Sequence, residues 1–188
     1  MRRNALLELL GSYRPFSAND AAACERIAAF VRATPDCFER SHIEGHVTGS
    51  AWILDAERDR CLLTHHRKLG RWLQLGGHAD GDPDIVAVAL REAREESGLT
   101  SIRVVDSSIF DCDVHAIPER KGEPAHLHYD VRFLLEADPA EALTVSEESR
   151  ALAWVPLVDV AALCDEESMM RMVARTPGAA ATSRQRIS

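Results

Sequence analysis

One stretch, residues 76–99, constrains the fold and the chemistry of this chain more than any other. It reads GGHADGDPDIVAVALREAREESGL, in which two glycines and a short acidic loop precede a run of good helix formers. Asp82 can cap the helix, and Pro83 can occupy its first turn, where a missing N–H costs nothing. Gly98 supplies a left-handed stop. The spacing therefore predicts a helix from about Asp84 to Ser97.

Three carboxylates share one side of this predicted helix. Glu92 precedes Glu95 and Glu96 by three and four residues, which makes their side chains neighbours. Arg91 stands four residues before Glu95 and can form an ion pair with it. Clustered carboxylates repel unless a cation neutralises them, and Mg²⁺ and Mn²⁺ prefer oxygen ligands. The helix is therefore predicted to form one wall of a metal-assisted phosphate site, although a solvated face of paired charges has the same pattern.

The same stretch resembles the Nudix box, G-x5-E-x7-R-E-U-x-E-E-x-G-U, where U is an apolar residue. Eight of nine specified positions over 23 residues match: Gly77, Arg91, Glu92, Ala93, Glu95, Glu96, Gly98 and Leu99. The first glutamate of the pattern falls on Pro83, and either Asp82 or Asp84 could partly replace it. The resemblance covers roughly residues 45–165. It implies an α/β fold of the Nudix type, an α/β/α sandwich with a mixed β-sheet.

The resemblance also implies an activity, the Mg²⁺- or Mn²⁺-dependent hydrolysis of a pyrophosphate linkage in a nucleoside diphosphate that carries another moiety. Glu92, Glu95 and Glu96 would bind the metal with the carbonyl of Gly76, and Glu92 could instead be the general base. Arg91 would position Glu95. The resemblance is also compatible with a non-nucleotide diphosphate substrate, including isomerase chemistry, and with an inactive nucleotide-binding regulator.

Glutamates outside the box and the double glycine extend this predicted site. Gly76 and Gly77 allow the backbone to approach a ligand closely. An acidic loop over residues 137–149 precedes a W-V-P-L segment at residues 154–157, as in similar Nudix chains. Glu147 and Glu148 in this loop are candidates for a metal ligand or a base, and exposed loop acids are the alternative.

Substrate contacts are predicted on strands and on the segment before the box. Residues 47–54 and 61–65 read as a first hairpin, and Arg67 and Trp72 after it could contact the substrate. In the strand over residues 125–136, alternation places four polar side chains on one face: His126, His128, Asp130 and Arg132. If Asp113 and His115 pair beside them, the histidines could bind a transition metal. A polar face that lines the substrate cleft fits the spacing equally and is the preferred interpretation.

Length and order along the chain indicate three parts. The 188 residues suffice for one domain with an extension. Residues 1–38 form a predicted N-terminal helical extension, with its second helix capped near Ser17, that could pack on the sheet, form a homodimer interface or belong to a substrate lid. Residues 39–175 form the predicted Nudix domain. Residues 176–188 lack an apolar pattern and are expected to be disordered.

The composition of the chain indicates which classes of binding partner are expected. The net charge is −8 without a basic run, so stable nucleic-acid binding is not expected. The five cysteines are scattered and odd in number, which argues against a disulfide framework or a zinc knuckle. Neither a signal peptide nor a long apolar run is present, which favours the cytoplasm and no membrane partner. The expected partner is a small diphosphate, and a nucleotide derivative is preferred.

Overall fold

The computed structural model describes residues 3–119, 122 and 124–176. In chain order the elements are α1 (Asn4–Ser12), α2 (Ala18–Ala33), β1 (Gly45–Leu54), β2 (Arg60–His66), β3 (Trp72–Leu73), β4 (Leu75–His78), α3 (Ile85–Ser97), β5 (Arg103–Ile117), β6 (His126–Glu136), β7 (Ser149–Pro156), a 3₁₀ turn (Leu157–Asp159), α4 (Val160–Leu163) and α5 (Glu167–Arg175).

The seven strands form one mixed sheet whose main path is β3-β2-β1-β6-β5. β1 and β6 run parallel along their whole length, whereas the other described pairs are antiparallel. β4 pairs with the middle of β1, and β2 pairs with its last residue, Leu54, so β1 changes partners on one side. β7 extends the sheet from β2. The predicted α/β fold with a mixed sheet is confirmed.

Helices cover both faces of the sheet. One core lies under α1, α2 and α3 and includes Leu6 and Ile27. The second core lies under α4 and α5 and includes Met172. β1 supplies both cores because successive side chains of a strand point to opposite faces: Ile53 belongs to the first core and Trp52 to the second.

The N-terminal helices are tied to the rest of the chain by polar contacts as well as by the core. A capping box starts α2, in which Asp20 N–H donates to Ser17 Oγ and Ser17 N–H donates to the Asp20 carboxylate over 2.6 Å. Tyr13 Oη donates to the same carboxylate, also over 2.6 Å. Arg175 of α5 donates to Tyr13 Oη over 2.8 Å. The cap predicted near Ser17 is therefore also the place where the N-terminal helices contact α5.

α3 ends as predicted but begins one residue later. Gly98 has a left-handed φ of 72° and closes the helix. The prediction of Asp82 as the cap, with Pro83 in the first turn, is wrong. Asp84 is the cap, and its carboxylate accepts the Ala87 N–H over 3.0 Å. Asp82 instead accepts the Asp84 N–H over 2.9 Å, which stabilises the loop before the helix.

β5 is one long strand with shifts in register between Val104 and Asp111. Its pairing with β6 places Asp113 beside Asp130 and His115 beside His128, so the predicted polar face forms. The far half of this face is occupied by a buried ion network. Arg132, with a side chain 3% exposed, donates to Asp130 over 2.7 Å.

The same network attaches α5 to the sheet. Arg132 also donates to Asp111 over 3.2 Å, and Arg171 of α5 donates to Asp111 over 2.7 Å. The buried arginines and aspartates of this network therefore form ion pairs with one another, which offsets the cost of removing their charges from water. The histidine half of the polar face lines a cleft, and Asp130 lies where the ion network meets that cleft.

The C-terminal segment closes the second core. Thr176, predicted to begin the tail, is buried and accepts the Trp52 indole N–H over 3.0 Å. The predicted disorder of residues 177–188 concerns a segment outside the described residues. Within the ranges described here, no helix is long and apolar enough to span a bilayer.

Candidate active site

A cleft of about 800 Å³ opens beside α3. Its walls come from the first half of β1, from β4, from one side of α3 and from the ends of β5 and β6. The carboxylates that line it are those of Asp80, Asp82, Glu92, Glu95, Glu96, Asp130 and Glu148. The cleft therefore unites the three predicted glutamates of α3 with one of the two glutamates predicted in the loop before β7.

Glu96 is buried and, within the described ranges, has an unpartnered carboxylate oxygen. The residue is only 7% exposed, and its Oε2 has no hydrogen-bond partner among the described residues. Burial, followed by the charges of Glu148 and Glu92, raises the pKa of Glu96 to about 8. A buried carboxylate oxygen without a partner is costly. Its position at the base of a cleft lined by other acids indicates a place for a cation.

Glu92 is held by Arg91. Arg91 Nη2 donates to Glu92 Oε1 over 2.8 Å and to the His78 carbonyl over 2.9 Å. Arg91 Nε lies 4.0 Å from Glu95, the partner predicted from the sequence, at the limit of an ion pair. Burial raises the pKa of Glu92, and the Arg91 guanidinium opposes this shift. Arg91 thus connects α3 to β4 and orients Glu92 by a hydrogen bond, and it also forms the predicted ion pair with Glu95.

The remaining predicted acids differ in position. Glu95 lines the cleft, although its side chain is 64% exposed. Glu148 also lines it, from the loop before β7. Both loop glutamates are exposed, but Glu147 does not line the cleft, and its carbonyl oxygen accepts a hydrogen bond from Arg67. The structure therefore favours Glu148 of the two loop candidates.

The double glycine lets β4 approach its neighbours closely. A Cβ on Gly76 would lie 2.7 Å from Ser50 Cα and 2.8 Å from the Gly49 carbonyl oxygen, and the φ of Gly76 is 155°. A Cβ on Gly77 would collide with the carboxylate of Glu92. Gly76 is thus required by the backbone of β1, whereas a side chain at position 77 would displace the Glu92 carboxylate of α3.

Two aspartates flank Pro83, the position of the absent first glutamate of the box. Asp82 lines the cleft, and its carboxylate lies 3.9 Å from Arg91 Nη1. Asp84 is used as the helix cap and does not line the cleft. Of the two aspartates that flank Pro83, the structure places Asp82 beside the candidate site.

The predicted substrate-binding residues divide into two pairs. His126 and His128 line the cleft, whereas Arg67 and Trp72 do not. Arg67 donates to the carbonyls of Glu147 and Ser149, each over 2.9 Å. Trp72 stacks on His65, with 5.2 Å between ring centroids, and packs on the second core. The structure therefore does not place Arg67 and Trp72 with the other candidates.

Two further histidines in the cleft, His46 and His78, were missed in the sequence. His46 is the second residue of β1, where alternation places it on the same face as Thr48 and Ser50, and His78 directly follows the double glycine. The alternation of polar side chains along β1 is visible in the sequence. The sequence does not show that β4 and β6 lie beside β1, and this pairing is what brings the histidines together. Thr48 and Ser50 each donate to Asp130 over 2.8 Å.

The imidazoles of His46, His78 and His128 favour their neutral forms, because burial lowers the pKa of each. Burial, then the charge of neighbouring His78, lowers the pKa of His46 to about 4. Burial and the adjacent histidines lower the pKa of His128 to about 2. Crowded rings cannot all carry a charge in a partly dry site. They therefore present lone pairs rather than positive charges to the cleft.

Comparison with known proteins agrees with this geometry. The family model for the NUDIX domain matches residues 45–176. A relative from Lactococcus lactis subsp. cremoris (strain MG1363), named "Probable DHNTP pyrophosphohydrolase", is 30% identical over 105 residues, which cover 55% of this chain and 62% of that protein. The matched region thus spans less than two thirds of that relative.

Solved structures share the fold. The binary complex of a C. elegans Ap4A hydrolase has a TM-score of 0.55 and 19% identity, covering 69% of this chain and 93% of that one. The E. coli dihydroneopterin triphosphate pyrophosphohydrolase has a TM-score of 0.52 and 17% identity, covering 69% and 92% of the two chains. Since the family model matches well over half of the sequence, the chain belongs to the NUDIX domain family.

Proposed function

We propose that this protein is a Mg²⁺- or Mn²⁺-dependent pyrophosphohydrolase that cleaves a nucleoside diphosphate joined to another moiety. The observation that carries the proposal is the unpartnered, buried Oε2 of Glu96 at the base of a cleft lined by Glu92, Glu95 and Glu148. Such a concentration of acids is unfavourable for an anionic substrate unless a cation lies between them.

The donor set fits a hard divalent ion. Carboxylate and carbonyl oxygens are the ligands such ions prefer, and we assign Glu92, Glu95, Glu96 and the Gly76 carbonyl to this role. When bound, the ion would neutralise the pyrophosphate and lower the pKa of the attacking water. The Arg91 hydrogen bonds hold Glu92 in place for this purpose.

The residues around the ion have distinct roles in the proposed reaction. Glu148 lies on the loop before β7, outside α3, and we assign to it the proton released by the attacking water. Asp82 and Arg91 lie at the outer rim, where Arg91 can also contact a phosphate oxygen. A cleft of about 800 Å³ is large enough for a nucleotide.

The names of the relatives support the reaction class. One is named for dihydroneopterin triphosphate and another for Ap4A, and both names refer to pyrophosphate bonds. These substrates differ in the group attached to the phosphates. The proposal for this chain therefore rests on the phosphate chemistry and leaves the attached group to be found by assay.

A substrate panel tests the proposal. Purified full-length protein with MgCl₂ is incubated with ADP-ribose, nucleoside diphosphate sugars, Ap4A and dihydroneopterin triphosphate. Phosphate release is measured with and without added phosphatase, which identifies the products. At least one substrate should be hydrolysed in a Mg²⁺-dependent manner, and turnover should fall on the order of 100-fold or more in Glu96→Gln.

Two controls make the outcome decisive. Glu25→Gln changes an exposed glutamate of α2 outside the cleft and should leave turnover unchanged. Circular dichroism should show that Glu96→Gln is folded. Near-normal turnover in folded Glu96→Gln would refute the site. Mg²⁺ binding by calorimetry without turnover of any nucleotide would favour the regulator or a non-nucleotide substrate.

A further inference from the structure

Five histidines crowd together at one end of the cleft, outside the group of glutamates. They lie on four strands: His46 on β1, His78 on β4, His115 on β5, and His126 and His128 on β6. Each ring centroid is between 4.9 and 5.5 Å from that of a neighbouring histidine. Neither the carboxylate site nor the cores of the fold require such a cluster.

His46 provides the strongest evidence that the cluster binds something. It is 3% exposed, and neither of its ring nitrogens makes a hydrogen bond of ordinary geometry with the described residues. A buried imidazole must donate through one nitrogen and accept through the other to recover its lost hydration. Two orphaned nitrogens in one buried ring therefore indicate a partner that the protein itself does not provide.

The positions of three rings indicate what kind of partner fits. One nitrogen from each of His46, His78 and His128 lies within 4.8 Å of the other two. A point between them is thus within about 2.8 Å of all three nitrogens, close to the 2.0–2.1 Å typical of zinc–nitrogen bonds. Small side-chain rotations would close the difference. A phosphate at that point would need more room, because its oxygens lie between its phosphorus and the donors.

His126 and His115 already have the orientation of supporting ligands. His126 Nδ1 lies 2.9 Å from the Pro124 carbonyl, to which it must donate, and this leaves an Nε2 lone pair 3.3 Å from His128 Nε2. Tetrahedral zinc holds its nitrogens about 3.3 Å apart. His115 Nδ1 is 3.0 Å from the Asp113 carboxylate. Metal-binding histidines commonly bond a carbonyl or carboxylate through the second nitrogen.

We propose that His46, His78 and His128 bind a divalent transition metal ion, zinc in particular, at a second site in the cleft. Imidazole ligands favour zinc over Mg²⁺, whereas the glutamates favour Mg²⁺ or Mn²⁺, so one cleft holds two ions of different preference. His126 stands beside His128 and completes a fourth position. Because the ligands come from paired strands, the site is preorganised by the sheet.

The test is zinc binding to the full-length protein after any affinity tag has been removed. Metal-free protein is titrated with ZnCl₂ by calorimetry in excess MgCl₂. One zinc ion should bind per chain, and the affinity should fall at least about tenfold in His46→Gln and in His78→Gln. His65→Gln, which changes a histidine outside the cleft, and Glu96→Gln, which changes the carboxylate site, should bind zinc as the wild type does.

Cobalt substitution identifies the ligands. Bound Co²⁺ should show visible ligand-field bands without the sulfur-to-cobalt charge-transfer band that a cysteine ligand produces. No zinc binding, unchanged affinity in both histidine variants, or a sulfur band would overturn the proposal. If His46→Gln does not fold by circular dichroism, His78→Gln decides the result alone, because its side chain is only partly buried.

Discussion

Mild acid should destabilise the metal-free protein through His46. Its pKa in the folded protein is about 4, against an ordinary value of 6.5, because burial disfavours the charged ring. His78, His126 and Arg40 face it and act in the same direction. Between these two values the unfolded chain takes up a proton that the folded chain does not. The free energy of unfolding contributed by neutral His46 is therefore complete above pH 6.5 and is lost as the pH falls towards 4.

The size of the effect follows from the same two values. Each pH unit in this window corresponds to about 1.4 kcal/mol for one group. Since titration of the unfolded histidine begins gradually near pH 6.5, the loss from His46 alone amounts to about 2 kcal/mol at pH 5. His128, whose pKa is about 2, contributes in the same direction. Such a loss is a substantial part of the stability of an ordinary domain.

Urea unfolding in EDTA at several pH values between 7.5 and 5 measures the effect. The difference in stability between wild type and His46→Gln should shift by about 2 kcal/mol across this range, in favour of the variant at low pH. Glu96, whose pKa is raised to about 8, gives an opposite trend that is shared by both proteins and cancels in the difference. His65→Gln should parallel the wild type. A difference between wild type and His46→Gln that does not change with pH would refute the reasoning.

Two paired substitutions test the assignments in the carboxylate site. Gly77→Ala should displace the flexible Glu92 carboxylate and lower turnover on the order of tenfold to a hundredfold without unfolding, whereas Gly76→Ala, which meets the backbone of β1, should lose more than about 1 kcal/mol in urea unfolding. The opposite pattern would contradict the geometry. Glu148→Gln should reduce kcat more than Glu147→Gln does, because only Glu148 lines the cleft. Equal losses in a steady-state assay would exclude the assigned role of Glu148.

Local spacing was sufficient to predict the elements that carry the carboxylates. The helix, its Gly98 stop and the shared side of Glu92 and Glu96 follow from a period of 3.6 residues and from the preference of glycine for a left-handed φ. The polar face of β6 followed from strand alternation in the same way. These features depend on residues close together in the chain.

Predictions that depended on competition between nearby groups were less accurate. Asp82 and Asp84 are equally good caps by residue type, and only the loop geometry decides in favour of Asp84. Arg91 has three carboxylates within reach, and its hydrogen bond to the His78 carbonyl on β4 directs it to Glu92. Arg67 and Trp72 have residue types suited to a substrate, but each has a partner inside the fold.

The sequence by itself determined the α/β class, the helix α3 and the placement of its acids on one side of that helix, because these are encoded in short-range periodicity and residue type. Only the tertiary structure decided which distant residues meet. His46, His78 and His128 are separated by tens of residues, and their proximity arises because β1 pairs with both β4 and β6. Strand pairing over such distances is set by how the whole sheet buries its two cores, which no local pattern specifies.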